Sequence, residues 1–452
     1  MIELPEVLAA QVLFWILLPV VIFGPLRWAV LAWLIMANLD ATGPGQSAVS
    51  VVGGINTVKG LILPLHLWYR MREVPSELSR SWPTRLWIAA TAYAAFAAMK
   101  APYPVAAAKL VGNMFGILLA LIVLEKAARK GLLDSRNLAI LIACSLALAV
   151  VQTYYFGGAS YGFDGTDQPS RLSSFIAAQQ FGGFLVAFLV VALWVKGFRP
   201  AARIGLCATM AVALILNGSR AWTLGALLVV VAYLWLSFRR TLAIISFGAA
   251  TAVLFVAFIL NFNSLGWFVV EDTSNRILAT ASALYTGVDT SHSVGLRDLT
   301  FRSIIYEGVV DELRGSSVRE LVFGHGTSSG GDAVLRVFPN RYRAEQFDPN
   351  RVIHNEWLRT LYEWGFVGLG LLAAVGVAFL RLLVGRYKSD SSKGSVSAVL
   401  SFLPAFLVAL SSENVLAGAG SPVMISLALI VALLWIPKIH VSRRASRGYV
   451  YA

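Results

Sequence analysis

Charge is what this 452-residue chain has least of. Only 13% of its residues are Asp, Glu, Lys or Arg, where a soluble chain carries about a quarter. With 58% hydrophobic residues and a mean hydropathy of +0.71, this excludes a soluble globular domain and points to a polytopic membrane protein. Cysteine is nearly absent. Cys144 and Cys207 both lie inside apolar runs, so no disulfide framework is implied. Neither they nor the five histidines form a cluster with zinc spacing. There is no Asp-x-Asp pair of the kind that chelates a metal on a nucleotide-sugar, and no Gly-x-x-x-x-Gly-Lys phosphate loop. The pattern thus calls for no metal and no cofactor. Few acidic residues lie within the hydrophobic runs, which argues against a proton- or sodium-coupled transporter. No internal repeat is visible, and Met1 to Glu6 carry no Lys or Arg. Insertion is therefore expected to rely on the first hydrophobic helix instead of a cleavable signal.

What is abundant is the apolar run. A hydrocarbon core needs about 20 apolar residues per span. Candidate spans fall at 9–23, 25–39, 49–68, 84–99, 104–125, 137–155, 175–196, 201–217, 221–237, 241–260, 361–384, 396–411 and 420–436. The expected fold class is all-α, a polytopic transmembrane bundle of about 12–13 spans with one large external, partly helical loop. Gly24-Pro25 leaves open whether the first two runs form a hairpin or one kinked span. Three regions follow: residues 1–261 with the first ten spans, the loop 262–360, and residues 361–452 with the last three spans and a basic tail.

Basic residues alternate with the spans. Arg70, Arg72, Arg80 and Arg85 fill one connector, and Lys126, Arg129, Lys130 and Arg136 the next of the same parity. Lys196, Arg199 and Arg203 follow, then Arg239 and Arg240. After the long loop come Arg381, Arg386, Lys388 and Lys393, then Lys438, Arg443, Arg444 and Arg447. The intervening short connectors hold only Lys100, Arg171 and Arg220. The positive-inside rule puts the first set, and the C-terminus, in the cytoplasm. From Glu271 to Glu363 the loop has ten arginines, no lysine and thirteen carboxylates, so it is slightly acidic and falls outside. The formal charge of +13 is an orientation signal and an attraction to anionic membrane lipids, with no nucleic-acid partner implied.

An external loop of this length exceeds ordinary connections and is usually functional. Arg297–Leu313 and Ser317–Phe323 are apolar at helical spacing, which predicts amphipathic helices against the bundle. Gly324-His325-Gly326 and Ser328 to Gly331 read as a turn-rich loop, and Phe338 to Asn350 as coil. The loop closes on His354-Asn355. There His354, Trp357, Leu358, Leu361 and Gly365 follow a helical rhythm, and Gly365 and Gly368 permit close backbone approach. Ser219-Arg220 sits in a turn of about three residues between two spans, so this arginine cannot move far from the surface. A guanidinium fork matches phosphate oxygens, and Arg171, Arg297 and Arg302 lie on the same side.

In order along the chain, Arg171-Leu172-Ser173-Ser174-Phe175 through Gln180-Phe181-Gly182, then Ser219-Arg220-Ala221, Arg302-x-x-x-Tyr306, Gly324-His325-Gly326 and His354-Asn355 followed by Gly365-x-x-Gly368 resemble the motifs of the bacterial O-antigen ligase and O-antigen polymerase superfamily. Ser174, Gln180 and Tyr306 depart from that pattern. The resemblance implies a multi-pass inner-membrane glycosyltransferase whose active site faces the periplasm. It would move a glycan from undecaprenyl diphosphate to a sugar hydroxyl on the lipid A core, with inversion and without a metal. A polymerase that extends a polyprenyl-linked glycan is the alternative, and a lipid-linked glycan flippase the alternative of another class. It further implies that His354 is the general base, that Arg220, Arg302, Arg297 and Arg171 bind the diphosphate, and that Ser219, Asn355, Gly365 and Gly368 support them.

Overall fold

The computed structural model describes residues 5–39, 55, 57–156, 172–176, 178–238, 294–337, 353–388, 393–412, 415–416 and 422–436. Apart from one isolated bridge, the described residues are helices and their connectors. In chain order these are α1 (Pro5–Phe23), α2 (Leu26–Met36), a π-helical turn Val58–Ile62 leading into α3 (Leu63–Arg70), α4 (Trp82–Ala97), α5 (Pro104–Arg129), α6 (Ser135–Phe156), α7 (Ala178–Trp194), α8 (Pro200–Asn217) and α9 (Arg220–Phe238). The loop contributes α10 (Val294–Gly315), α11 (Val318–Phe323) and α12 (Gly330–Val337). The chain then continues with α13 (Glu356–Tyr387), α14 (Lys393–Ser412) and α15 (Pro422–Ala432). The predicted run at 241–260 and the coil at 338–350 lie outside the described residues.

Among the described residues, five helices, α5, α6, α8, α13 and α14, are long and apolar enough to cross a membrane. Five shorter apolar helices pack among them. Ile88, Phe96, Ile204, Leu216 and Val384 are exposed on the outside of the bundle, where hydrocarbon costs them nothing. The fold is therefore an all-α membrane bundle.

The first hydrophobic region divides at Gly24-Pro25 into two helices packed against each other. Proline has no N–H with which to continue α1. The last α1 carbonyls are taken by Arg70 instead, whose guanidinium donates to Val21 O (3.0 Å) and Gly24 O (2.7 Å). A cation at a helix C-terminus also offsets the helix dipole.

The two ends of the bundle differ in chemistry. At one end the basic connectors interlock. Glu77 accepts from Arg129 (2.8 Å) and from Arg386, Lys126 Nζ donates to Met71 O (3.0 Å), and Arg27 Nε donates to Asn137 Oδ1 (2.7 Å). Guanidinium groups of Arg27, Arg72 and Arg85 lie over the rings of Trp28, Tyr69 and Trp82, an arrangement suited to a membrane–water interface. The opposite end gathers α10 to α12, the start of α13, the α4–α5 connector and Val415–Leu416. Among the described residues, the basic connectors around Arg72, Arg129 and Arg386 share that first end.

At the loop end, α10, α12 and the start of α13 share a small core of Ile305, Val309, Leu313, Ala333, Val334, Ile353 and Tyr362. α10 and α11 form helices at the two predicted segments, and α10 buries Ile305, Val309 and Leu313. α12 forms where Gly330 and Gly331 had predicted only a turn, because Ala333 and Val334 bury a helical stripe into that core.

Candidate functional site

His354 stands one residue before the N-cap of α13 and not on the helix itself. Its φ is +54°, a left-handed conformation unusual for a residue with a Cβ. Asn355 caps the helix, its side chain accepting from Leu358 N at 3.0 Å. The expected rhythm from His354 through Leu361 is therefore displaced: the cap turns the chain, so the histidine leads the apolar stripe without belonging to it. Tyr306 fixes that turn. Its hydroxyl donates to His354 O at 2.7 Å. α10 is thereby tied to the histidine through the last residue of Arg302-x-x-x-Tyr306, with Arg302 one turn earlier on the helix.

α13 breaks at Gly365, whose φ of +64° and ψ of −165° belong to a region essentially reserved for glycine. The break is where Gly324-His325-Gly326 docks. His325 N donates to Tyr362 O and Gly326 N to Glu363 O, both at 3.0 Å. Tyr93 Oη donates to Trp364 O (3.2 Å) and to Phe323 O (3.0 Å). A Cβ on Gly324 would stand 2.2 Å from Glu363 O, and one on Gly365 2.4 Å from Val322 O. The two backbones touch because neither crossing residue has a side chain. Thr327 completes the clasp, donating to Ala94 O (2.6 Å) on α4 and accepting from Trp364 Nε1 (3.0 Å). Gly368 makes room for its own neighbour: a Cβ there would stand 2.2 Å from that of Trp364.

Three buried charges lie on the first two turns of α13. Arg359 Nε donates to Glu356 Oε1 at 2.6 Å and Arg359 Nη1 to Glu363 Oε2 at 3.0 Å, and all three side chains are at most 2% exposed. Glu356 Oε2 also accepts from Val415 N (2.8 Å) and Leu416 N (3.0 Å), in the α14–α15 connector. Glu363 Oε1 accepts from Gly330 N (3.3 Å) at the start of α12.

Arg171 lies outside the described residues, but the segment that follows it is buried and non-helical. Leu172 N donates to Leu216 O (3.0 Å) and Asn217 Nδ2 to Leu172 O (2.7 Å). That joins the segment to the turn that carries Ser219 and Arg220. Gly218, with φ of +66°, closes α8, and Ser219 O accepts from Thr223 N (2.9 Å) as α9 begins. Leu39 bridges Phe175, and Ser174 Oγ donates to Asn38 O (3.1 Å). Lys59, 1% exposed, donates its ammonium to Leu39 O. A run of non-helical backbone at this depth is tolerated when it is buried in protein.

α14 links the two groups of segments. α9 crosses it with Gly225 against Ala405. Further along, Tyr233 packs on Trp194, whose indole donates to Ser401. α9 and α14 are therefore antiparallel. At 1.5 Å per residue, the Arg220 backbone lies about 7 Å beyond that crossing, level with Leu410 and Ser411. Ser411 Oγ accepts from Trp357 Nε1 at 3.2 Å, three residues from His354. Ser219, Arg220, His354 and Asn355 are thus brought to the same end of one helix. Arg297 and Arg302 are placed by the backbone of α10.

His325 packs its ring on Tyr362, with centroids 4.4 Å apart, and contacts Ser316 Oγ at 3.1 Å. Burial pulls its pKa below the ordinary value, against the nearby carboxylates of Glu320 and Glu312, while Arg336 adds to the lowering. Tyr93, Lys59 and Arg359 had not stood out in the sequence. Only Arg359 left a signal there: glutamates three residues before and four after it share its helical face.

Residues 205–373 match a family model described as O-Antigen ligase. The match runs from α8 to the middle of α13, so it includes Ser219, Arg220, Arg297, Arg302, His354, Asn355, Gly365 and Gly368 and leaves out Arg171. No curated protein matches the chain.

Proposed function

With an O-antigen ligase domain over residues 205–373, the chain belongs to the O-antigen ligase and polymerase superfamily, and on that premise we propose that it is a ligase. In this reading it takes a glycan from undecaprenyl diphosphate and transfers it to a sugar hydroxyl of the lipid A core. The loop end faces the periplasm, the basic end and C-terminus face the cytoplasm, and the protein resides in the inner membrane of a bacterium. The loop 262–360 acts as one functional unit between the two membrane regions.

The observation that carries this reading is the convergence on the outer end of α14. It brings the Arg220 backbone and His354 to one level of the bundle. A lipid diphosphate leaving group gains negative charge as the glycosidic bond breaks. Fixed guanidinium groups aimed at it stabilise that charge without reorganisation, the role assigned to Arg220, with Arg302, Arg297 and Arg171. His354 accepts the proton of the acceptor hydroxyl, being the side chain whose ordinary pKa lies nearest neutral. Attack opposite the departing diphosphate inverts the anomeric centre. Apolar helix faces hold the prenyl tail, and the lobe of α10 to α12 aligns the two large substrates.

The test is product analysis with purified protein, lipid-linked glycan and lipid A core, run with and without excess chelator. Glycan on the core, formed equally in chelator, is the expected result. A lengthened polyprenyl-linked chain would identify a polymerase instead. Activity lost in chelator and restored by Mg²⁺ would refute a mechanism that rests on arginine alone.

A further inference from the structure

The buried charges on α13 take no part in the reaction just described, yet they sit beside its base. Glu356 is two residues after His354 and its carboxylate is shared between Arg359 and the N–H groups of Val415 and Leu416. Arg359 spans to Glu363, and Glu363 holds Gly330 N. One network therefore ties the start of α13 to the α14–α15 connector and to the start of α12. Tyr306 adds α10 through the His354 carbonyl. Four chain segments far apart in sequence meet around a residue held at φ +54°.

Burial makes the cluster selective about its geometry. Two carboxyl groups face one guanidinium, and all three side chains are at most 2% exposed. Their remaining oxygens accept from the backbone N–H groups of Val415, Leu416 and Gly330, which are fixed in place. Such a network is satisfied in one arrangement of the segments and penalised in others. A helix that needed only stability at this point would do as well with apolar side chains.

We infer that Glu356, Arg359 and Glu363 are positioning residues that set the place of His354 relative to the α14–α15 connector and α12. The inference rests on the proposed role of His354 as base. Contact with substrate is not part of the role.

The experiment uses full-length protein in lipid nanodiscs and measures glycan transfer per donor-binding site, with donor binding counted separately by labelled lipid-linked glycan. Glu356→Gln places an amide where two N–H groups and a guanidinium all need an acceptor. It is expected to lower turnover per site at least tenfold, with the KM for donor within about twofold of the parent. Glu356→Asp keeps the charge and should recover part of the loss. Arg359→Lys, which cannot bridge both carboxylates in one plane, should fall between them. A merely structural role would reduce the number of donor-binding sites and leave turnover at each remaining site at the parent value; that result overturns the inference. So does parental turnover in all three variants. His354→Ala is run alongside: if it retains activity, the reading of His354 as base fails, whereas an inactive His354→Ala with a fully active Glu356→Gln removes the positioning role alone.

Discussion

Replacing Gly365 by alanine attacks the junction between the lobe of α10 to α12 and the bundle at one atom. At φ +64° and ψ −165°, any residue with a Cβ incurs roughly 1–3 kcal/mol of backbone strain. The added carbon would stand 2.4 Å from Val322 O, 2.5 Å from Val322 C and 2.6 Å from Gly324 N. These are backbone atoms and cannot rotate aside, so residues 322–326 must withdraw. Withdrawal gives up the bonds from His325 N to Tyr362 O and from Gly326 N to Glu363 O, each worth about 0.5–1.5 kcal/mol. The sum is roughly 2–6 kcal/mol against the docked lobe. Even the low end raises the opening equilibrium about 30-fold. Limited proteolysis of detergent-solubilised protein reads that opening as faster cleavage within 316–337. Gly370→Ala is the control. It lies in the same helix with nothing within 4 Å of the added carbon, and it should be neutral or stabilising by about 0.5–1 kcal/mol. A Gly365→Ala protein as resistant as Gly370→Ala would refute the account of the clasp.

Two further predictions concern the same lobe. His325 is held neutral by burial, so the docked lobe binds fewer protons than the opened one. Docking is fully stable above about pH 6.5 and weakens as pH falls through the lowered pKa of His325. Proteolysis at pH 7.5 and 5.5 should show this loss in the parent and not in His325→Gln; equal pH dependence in both would contradict it. Tyr306→Phe removes the hydroxyl bound to His354 O and leaves the ring in the lobe core. A hydrogen bond of about 0.5–1.5 kcal/mol predicts a several-fold fall in turnover, and unchanged turnover would show that the bond does not hold the histidine in place.

The bundle was legible in the sequence because each helix is written locally, as an apolar run bounded by charge or by Gly and Pro. The Arg70 connector and the Arg386 connector mark one end of the molecule by their charge alone. Gly24-Pro25 fits a hairpin or a kinked span equally, and only the fold brings Arg70 to close α1. The site was legible only by residue type. Arg220 and His354 stood out as polar groups at the ends of apolar runs, but their shared level depends on α9 crossing α14, which no local pattern encodes. His354 was expected on the α13 stripe. A cap such as Asn355 stops a periodicity without altering it in the sequence. Lys59 was hidden for a related reason: inside an apolar run it reads as an interruption, and only the fold brings the Leu39 carbonyl to its ammonium. The clasp was half visible. Gly324-His325-Gly326 reads as a turn and Gly365 as a place of close backbone approach, but no local pattern pairs the one with the other.

The central claim is that Arg220 and His354 divide one transfer reaction between them. The most direct measurement compares Arg220→Ala, His354→Ala and the parent, in nanodiscs, for donor binding and for glycan transfer from undecaprenyl diphosphate. The account predicts that His354→Ala binds donor like the parent and transfers almost nothing, while Arg220→Ala loses both. Transfer at the parental rate by either variant would contradict it.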